Sequence, residues 1–142
     1  MASNTSAEPV LEELGRADCM ELLGGGGIGR VAYDDGEGPT VVPVNYAVDG
    51  DAVVFRTSTS GRLNRSLLTS VAGGEVRAAF EVDRFDESTR EGWSVLLRGG
   101  AHRLTEEERA AAVRVVPWPG GEREAWFRLS AREVTGRRLH RP

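Results

Sequence analysis

The feature that most constrains the fold of this 142-residue chain is a β-hairpin pattern near its middle. Apolar side chains occupy every second position of one segment: Val42, Val44, Tyr46 and Val48. A period of two is typical of a strand that turns one face toward a core. Asp49 and Gly50 then supply a turn, and Ala52–Thr57 follows as a second apolar segment. The pattern therefore predicts two neighbouring antiparallel strands.

Further strand and helix signals flank this hairpin. Strands are predicted over Ile28–Tyr33, Val76–Val82, Trp93–Gly99 and Ala125–Leu129, while Glu133–Leu139 is expected to pair with the last of them or to complete the sheet edge. Leucines at helical spacing predict a helix over residues 11–23 that ends at the glycine run 24–27. A second helix is expected after Ser60, and Thr105 with Glu108 forms a capping box that opens a third.

These elements predict a mostly β fold, in which six or so strands form a closed antiparallel barrel with a few short helices. Residues 1–9 are small and polar, so they are predicted to be a disordered tail. Residues 10–142 are predicted to form a single domain.

Composition narrows the classes of function. A net charge of −4 argues against nucleic-acid binding, which relies on a basic surface. No segment approaches the roughly 20 apolar residues of a membrane helix, so no membrane partner is expected and a cytoplasmic location is predicted. Cys19 is the only cysteine and is expected to be a small buried hydrophobe. His102 and His140 lie far apart in the sequence, so no metal site is predicted.

A hydroxyl-rich turn between a strand and the second predicted helix is the first candidate binding site. Six of its residues are candidates to hold a phosphate: Arg56, Thr57, Ser58, Ser60, Gly61 and Arg62. A helix start offers unpaired N–H groups, hydroxyls donate hydrogen bonds, and a guanidinium forms bidentate bonds to phosphate. The alternative is that Ser60 only caps the helix and Arg62 is a solvated surface residue.

A phosphate site beside an open sheet face would suit a flat aromatic ligand. Four strand residues would then border the ring, chiefly through backbone groups and one side-chain amide: Pro43, Val44, Asn45 and Tyr46. Trp126 and Arg128 share the outward face of a later strand, where they would stack on a ring or pack against a partner subunit. The alternative for Asn45 is an ordinary exposed strand residue.

The order of these segments resembles the pyridoxamine 5'-phosphate oxidase-like family of FMN-binding proteins. The resemblance is carried by five runs in the family's order: Gly29–Ala32, Val42–Tyr46, Asp49–Thr57, Gly92–Gly99 and Val134–Arg138. It implies a six-stranded Greek-key split barrel that forms a homodimer, with two flavin sites at the subunit interface.

The resemblance also implies a role for each candidate residue. The FMN phosphate would be held by Thr57, Ser58 and Arg62, with Ser60 and Gly61 beside them. The strand Val44–Tyr46 would border the flavin ring, and Trp126 and Arg128 would come from the neighbouring subunit.

The implied function is a flavin-dependent oxidoreductase that acts on an unidentified small molecule. Because the flavin ring performs the redox chemistry, no catalytic residue is assigned. The alternatives are a non-catalytic flavin-binding or storage protein, a barrel that has lost its ligand, and a reductase that depends on a deazaflavin coenzyme. Leu63 stands where the longer enzymes of the family have a second basic residue, so weaker phosphate binding is expected. Those enzymes use a C-terminal segment for pyridoxal substrates, whereas this sequence stops at Pro142, so pyridoxamine phosphate oxidase activity is not assigned.

Overall fold

Seven antiparallel strands and two short helices make up the described part of the chain. The computed structural model describes residues 8–57, 74–112, 115 and 125–142. The strands are β1 Val10–Leu14, β2 Gly27–Asp34, β3 Pro39–Asp49, β4 Ala52–Thr57, β5 Val76–Asp86, β6 Glu91–Arg103 and β7 Ala125–His140. The helices are α1 Arg16–Leu23 and α2 Glu106–Ala111. The strands β7, β4, β3, β2, β5 and β6 are hydrogen-bonded in that order, and pairing of β6 with β7 closes them into a six-stranded barrel. The predicted fold class is confirmed.

β7 closes the barrel because it is long enough to pair with three neighbouring strands. It spans 16 residues and pairs with β6 along one edge, from Phe127 to Leu139. Along its other edge β4 pairs with the half Ala125–Ser130, and β1 pairs with the half Gly136–His140. β4 and β1 therefore follow one another along the same edge of β7. β1 is a seventh strand, outside the six-stranded ring.

The helix predicted over residues 11–23 is wrong in its first half. Leu11 lies opposite Leu139 in the ladder between β1 and β7, and α1 begins only at Arg16. The leucine spacing suits a helix, but the edge of β7 offers this segment a complete set of backbone hydrogen bonds. Such tertiary pairing outweighs a weak local preference for helix.

The remaining secondary-structure predictions are largely confirmed. The segments Ala125–Leu129 and Glu133–Leu139 form one continuous strand where the sequence suggested two, and β5 continues to Asp86. The helix predicted after Ser60 lies outside the described residues.

Alternation along the strands builds the barrel core as predicted. Val44 and Tyr46 of β3 are buried, and Val42 and Val48 pack against the same cluster. Phe55 at the centre stacks on Phe80 and Phe127 with ring centroids 5.8 and 5.5 Å apart. Aromatic pairs of this kind contribute about 0.5–1.5 kcal/mol beyond the burial of their area.

α1 closes one end of the barrel. Cys19 and Leu23 of this helix are buried in the core cluster, and the Tyr46 hydroxyl donates a hydrogen bond of 3.1 Å to the Leu23 carbonyl. Gly136 lets the helix approach β7, since a Cβ there would lie 2.5 Å from Cys19 Sγ. Burial raises the pKa of the Cys19 thiol, which favours the predicted packing role over a nucleophilic one.

A second, smaller apolar cluster lies on the outer face of the barrel. Leu104 and Val115 are buried there against Val54 of β4, with Ala47, Ala112 and Trp126 around them. We call these six residues the outer cluster. The predicted capping box is confirmed: the Glu108 N–H donates to the Thr105 hydroxyl at 3.2 Å, and the Thr105 N–H donates to the Glu108 carboxylate at 2.9 Å.

Gly29→Ala is expected to destabilise the barrel by about 1–3 kcal/mol, the usual cost of overpacking a core. Gly29 faces Phe80, which belongs to the aromatic cluster of Phe55, Phe80 and Phe127. A Cβ at Gly29 would overlap the Phe80 ring and lie 3.1 Å from Val82 Cγ2. Urea unfolding followed by circular dichroism measures the change. The matched control is Gly25→Ala, where a Cβ would meet no atom within 4 Å. If both variants unfold at the wild-type midpoint, β2 does not pack on the aromatic cluster as described.

Candidate functional site

Three residues predicted from the sequence stand side by side on adjacent strands. Asn45 of β3 lies opposite Arg56 of β4, and Arg56 lies opposite Trp126 of β7. Their side chains point to the outer face of the barrel, because strand neighbours alternate in direction and the residues next to them are core residues. We call Asn45, Arg56 and Trp126 the cross-strand row.

Two guanidinium groups lie over the Trp126 indole. The Arg56 guanidinium carbon is 4.9 Å from the ring centroid, and that of Arg109 in α2 is 5.3 Å from it. Arg56 also donates a hydrogen bond of 3.2 Å to the Val115 carbonyl, which fixes its plane. Both guanidinium groups lie within the range of cation–π attraction to the ring.

The indole N–H of Trp126 is the one group of the row that lacks a partner among the described residues. Trp126 Nε1 is buried, yet it has no hydrogen-bond acceptor in the described part of the protein. An unsatisfied buried donor costs about 1–3 kcal/mol. An acceptor brought by a ligand or partner would recover that cost.

The edge of β3 next to the row offers backbone groups as well. β3 pairs with β2 from Pro39 to Tyr46, but its ladder with β4 begins only at the pair of Asn45 with Arg56. On the β4 side, Pro39–Val44 therefore has no strand partner among the described residues. The sequence predicted that backbone groups near Pro43 would border a ring, and this edge is where such groups lie.

Arg128 is held by its own chain. Its Nη2 lies 2.5 Å from Asp49 Oδ2, and both side chains are about 70% buried. Arg128 lies opposite Val54, one position further along the outer face than the pair of Arg56 with Trp126. The structure therefore places it beside the row, in an ion pair that a ligand would have to share.

The other candidate residues divide into three groups. Val44 and Tyr46 turn their side chains into the core, which leaves only their backbone for a ligand. Pro43 is exposed on the outer face, and Thr57 is half-buried at the end of β4 opposite Ala125. Ser58, Ser60, Gly61 and Arg62 lie outside the described residues, so the phosphate segment remains a prediction.

A second polar group on the outer face was missed by the sequence analysis. Arg30 of β2 lies 3.2 Å from the Glu81 carboxylate and 3.7 Å from the Asp83 carboxylate. Burial, and then a hydrogen bond shared with Asp83, raise the pKa of Glu81 to about 7. Only the register of β2 against β5 brings Arg30 opposite Glu81, and the sequence carries no signal for that register.

Neither a cluster of potential metal ligands nor a membrane-spanning helix is found among the described residues. His102 Nε2 lies 3.4 Å from a Glu108 carboxylate oxygen, but the described residues include no group of three or more potential His, Cys, Asp and Glu ligands. Neither described helix is long and apolar enough to cross a membrane.

The chain resembles known proteins in its sequence and in its fold. A family model described as pyridoxamine 5'-phosphate oxidase matches residues 15–138. The uncharacterized protein Rv0080 of Mycobacterium tuberculosis is 31% identical over 140 residues, which cover 97% of this chain and 91% of that protein.

Two solved structures share the fold. A Corynebacterium glutamicum protein superposes with a TM-score of 0.73 at 22% identity, over 98% of this chain and 97% of that one. An FAD-binding protein from Mycobacterium smegmatis superposes with a TM-score of 0.67 at 25% identity, over 91% of this chain and 98% of that one.

The raised pKa of Glu81 makes the stability of the protein depend on pH. The folded state binds a proton on Glu81 up to about pH 7, whereas an unfolded Glu releases it near its ordinary pKa of about 4.3. The free energy of unfolding is therefore expected to fall as pH rises between these values.

Thermal unfolding at pH 5 to 8 should show a falling midpoint for the wild type. The midpoint of Glu81→Gln should change less and should exceed the wild-type value at pH 8. A matched control is Glu87→Gln, on an exposed turn. Equal pH profiles for wild type and Glu81→Gln would contradict the shifted pKa.

Proposed function

The chain belongs to the pyridoxamine 5'-phosphate oxidase family, and from this membership we propose that it binds a flavin and uses it as an oxidoreductase on a small molecule. The single observation that carries the proposal is the cross-strand row with its unsatisfied Trp126 N–H. The name of the Mycobacterium smegmatis neighbour, an FAD-binding protein, supports a flavin as the ligand.

The residues of the row fit the polar edge of a flavin ring. That edge carries carbonyl oxygens and unprotonated ring nitrogens, which accept hydrogen bonds, and one ring N–H, which donates a hydrogen bond. Arg56 and Trp126 supply N–H donors, Asn45 supplies both donor and acceptor groups, and the edge of β3 near Pro43 supplies backbone groups. The positive charges of Arg56 and Arg109 favour a ring that gains electron density.

The phosphate of the cofactor is proposed to lie on the turn that begins at Thr57. Ser58, Ser60, Gly61 and Arg62 carry this part of the proposal from the sequence, because a hydroxyl-rich helix start with an arginine suits a phosphate. Thr57 ends β4 directly after Arg56. The residues that contact the ring and those that contact the phosphate would therefore be neighbours in the sequence.

The chain's own contribution to a reaction is binding, orientation and exclusion of water. A bound flavin supplies the transfer of electrons, so no protein nucleophile is required. The hydrogen bond from Arg56 to the Val115 carbonyl fixes the donor at one end of the row. The outer cluster places apolar side chains next to Trp126, which lowers the local dielectric and strengthens polar contacts to the ring.

A homodimer is part of the same proposal. Val41 of β3 is 58% exposed, and Pro43 two positions later is also exposed on the same outer face. An exposed apolar strand face beside an incomplete polar row suits burial against a second subunit. Trp126 and Arg128 of each subunit would then lie near the partner's site as well as near their own row.

Flavin binding is tested by titrating FMN, FAD and riboflavin and following flavin fluorescence. We propose FMN as the cofactor, so FMN should bind more tightly than riboflavin, which lacks the phosphate. Trp126→Phe should weaken FMN binding about three- to tenfold through loss of one hydrogen bond. The same variant should leave the free protein at least as stable, because it removes an unsatisfied donor.

Trp93→Phe is the matched control, since Trp93 packs against the barrel core and should not affect flavin affinity. Tighter binding of FAD or of a deazaflavin coenzyme would replace FMN in the proposal. Equal FMN affinity for wild type and Trp126→Phe would remove the row from the site. Turnover of bound flavin with a nicotinamide cofactor and an acceptor would support an oxidoreductase over a storage protein.

The proposed dimer predicts a light-scattering mass of two chains at protein concentrations above about 1 μM, in the usual range of specific association. Val41→Glu should raise the dimer dissociation constant, because it places a charge in the apolar face. Glu13→Gln, on exposed strand β1, serves as a charge-change control. A mass of one chain for the wild type would count against a shared site.

A further inference from the structure

A cavity of about 1120 Å³ lies on the barrel where β5, β6 and β7 meet. Its rim carries one arginine from each of these strands: Arg77, Arg98 and Arg132. We call this feature the arginine trough. Arg132 is six residues beyond Trp126, or roughly 20 Å along an extended strand, so the trough is separate from the cross-strand row.

A β-bulge in β7 lies at the trough. In the ladder between β6 and β7, Arg98 pairs with Glu133 and Gly99 pairs with Ala131, which leaves Arg132 as an extra residue. A bulge of this kind bends its strand and changes the direction of a side chain. The irregularity leaves Arg132 and Glu133 next to each other on the outer face, beside Arg98.

The floor of the trough is made of small residues. Ala79 lies opposite Arg98, and Gly99 and Gly100 follow in β6. A Cβ at Gly100 would touch the Glu75 carboxylate, so the Glu75 side chain lies over this floor. The absence of larger side chains leaves room for a ligand to lie between the arginines.

The charges of the trough are only weakly satisfied by the protein. Arg98 pairs with Glu133 at 3.6 Å, but both side chains are more than half exposed, and such surface pairs contribute little. Among the described residues, Arg77 and Arg132 have no carboxylate partner. Three arginines and two glutamates line the cavity, so its lining carries a positive balance in a chain whose net charge is −4.

From this arrangement we propose that the arginine trough binds a small ligand through its carboxylate or phosphate groups. A guanidinium offers paired N–H donors that match either group. The Glu75 carboxylate repels such an anionic ligand and therefore lowers its affinity for the trough. The site goes beyond the proposed flavin site and shares no residue with the cross-strand row.

The test is isothermal titration calorimetry with two probes, inorganic pyrophosphate and malonate, at low salt so that screening is small. The wild type should bind at least one probe saturably. The double variant Arg77→Gln, Arg132→Gln should bind it at least about tenfold more weakly. Glu75→Gln should bind it more tightly, because the opposing charge is gone.

The matched control is Arg103→Gln, an exposed arginine on β6 outside the trough, which should bind as the wild type does. FMN affinity should be equal in all four proteins, which keeps this result independent of the flavin proposal. Preference for pyrophosphate or for malonate identifies the anionic group. Failure of the wild type to bind either probe at about 10 mM, or wild-type affinity in the double variant, would overturn the proposal.

Discussion

The pairing of β7 on both of its edges is the interaction on which the rest of the structure depends. Backbone groups in a buried sheet must find partners, and β7 provides them to β6, β4 and β1 at once. Without its pairing to β6 the barrel would be an open sheet with two exposed edges. Without its pairing to β4 the aromatic stack of Phe55 on Phe127 would be lost. Closure and core formation are therefore one event in this fold.

The candidate site follows from the same pairing. Phe55 and Phe127 must face inward to form the core, so their neighbours Arg56 and Trp126 must face outward on adjacent strands. A slip of one residue between β4 and β7 would turn either Arg56 or Trp126 into the core. The stability of the barrel thus enforces the register that brings Asn45, Arg56 and Trp126 into one row.

The sequence predicted those features whose signal is local. Strict alternation from Val42 to Val48 identified a strand and its inward face, and the spacing of Thr105 and Glu108 identified a helix start. Features that depend on distant pairing were not predictable. The segment Val10–Leu14 reads as helix until β7 offers it an edge, and nothing local to Arg30 or Glu81 indicates that they meet.

The site was predictable to the same extent. Alternation placed Asn45 and Trp126 on outward faces and family resemblance linked them to a flavin, whereas Arg56 was a candidate only as part of the phosphate turn. Their contact with one another requires the ladder register, and the outer cluster beside Trp126 requires the packing of Leu104 and Val115 on Val54. These contacts join residues of segments far apart in the chain, so no local pattern encodes them.

The bulge in β7 shows how one departure from regular pairing serves both core and surface. Before the bulge, the inward positions are odd-numbered, as at Phe127 and Leu129; after it they are even-numbered, as at Val134 and Gly136. The extra residue Arg132 produces this change of phase. A regular strand with the same sequence would turn Val134 outward and move Gly136 away from Cys19. Because the bulge lets both halves of β7 face the core, its energetic cost is offset by packing, and Glu133, which regular alternation would turn inward, joins Arg132 on the outer face.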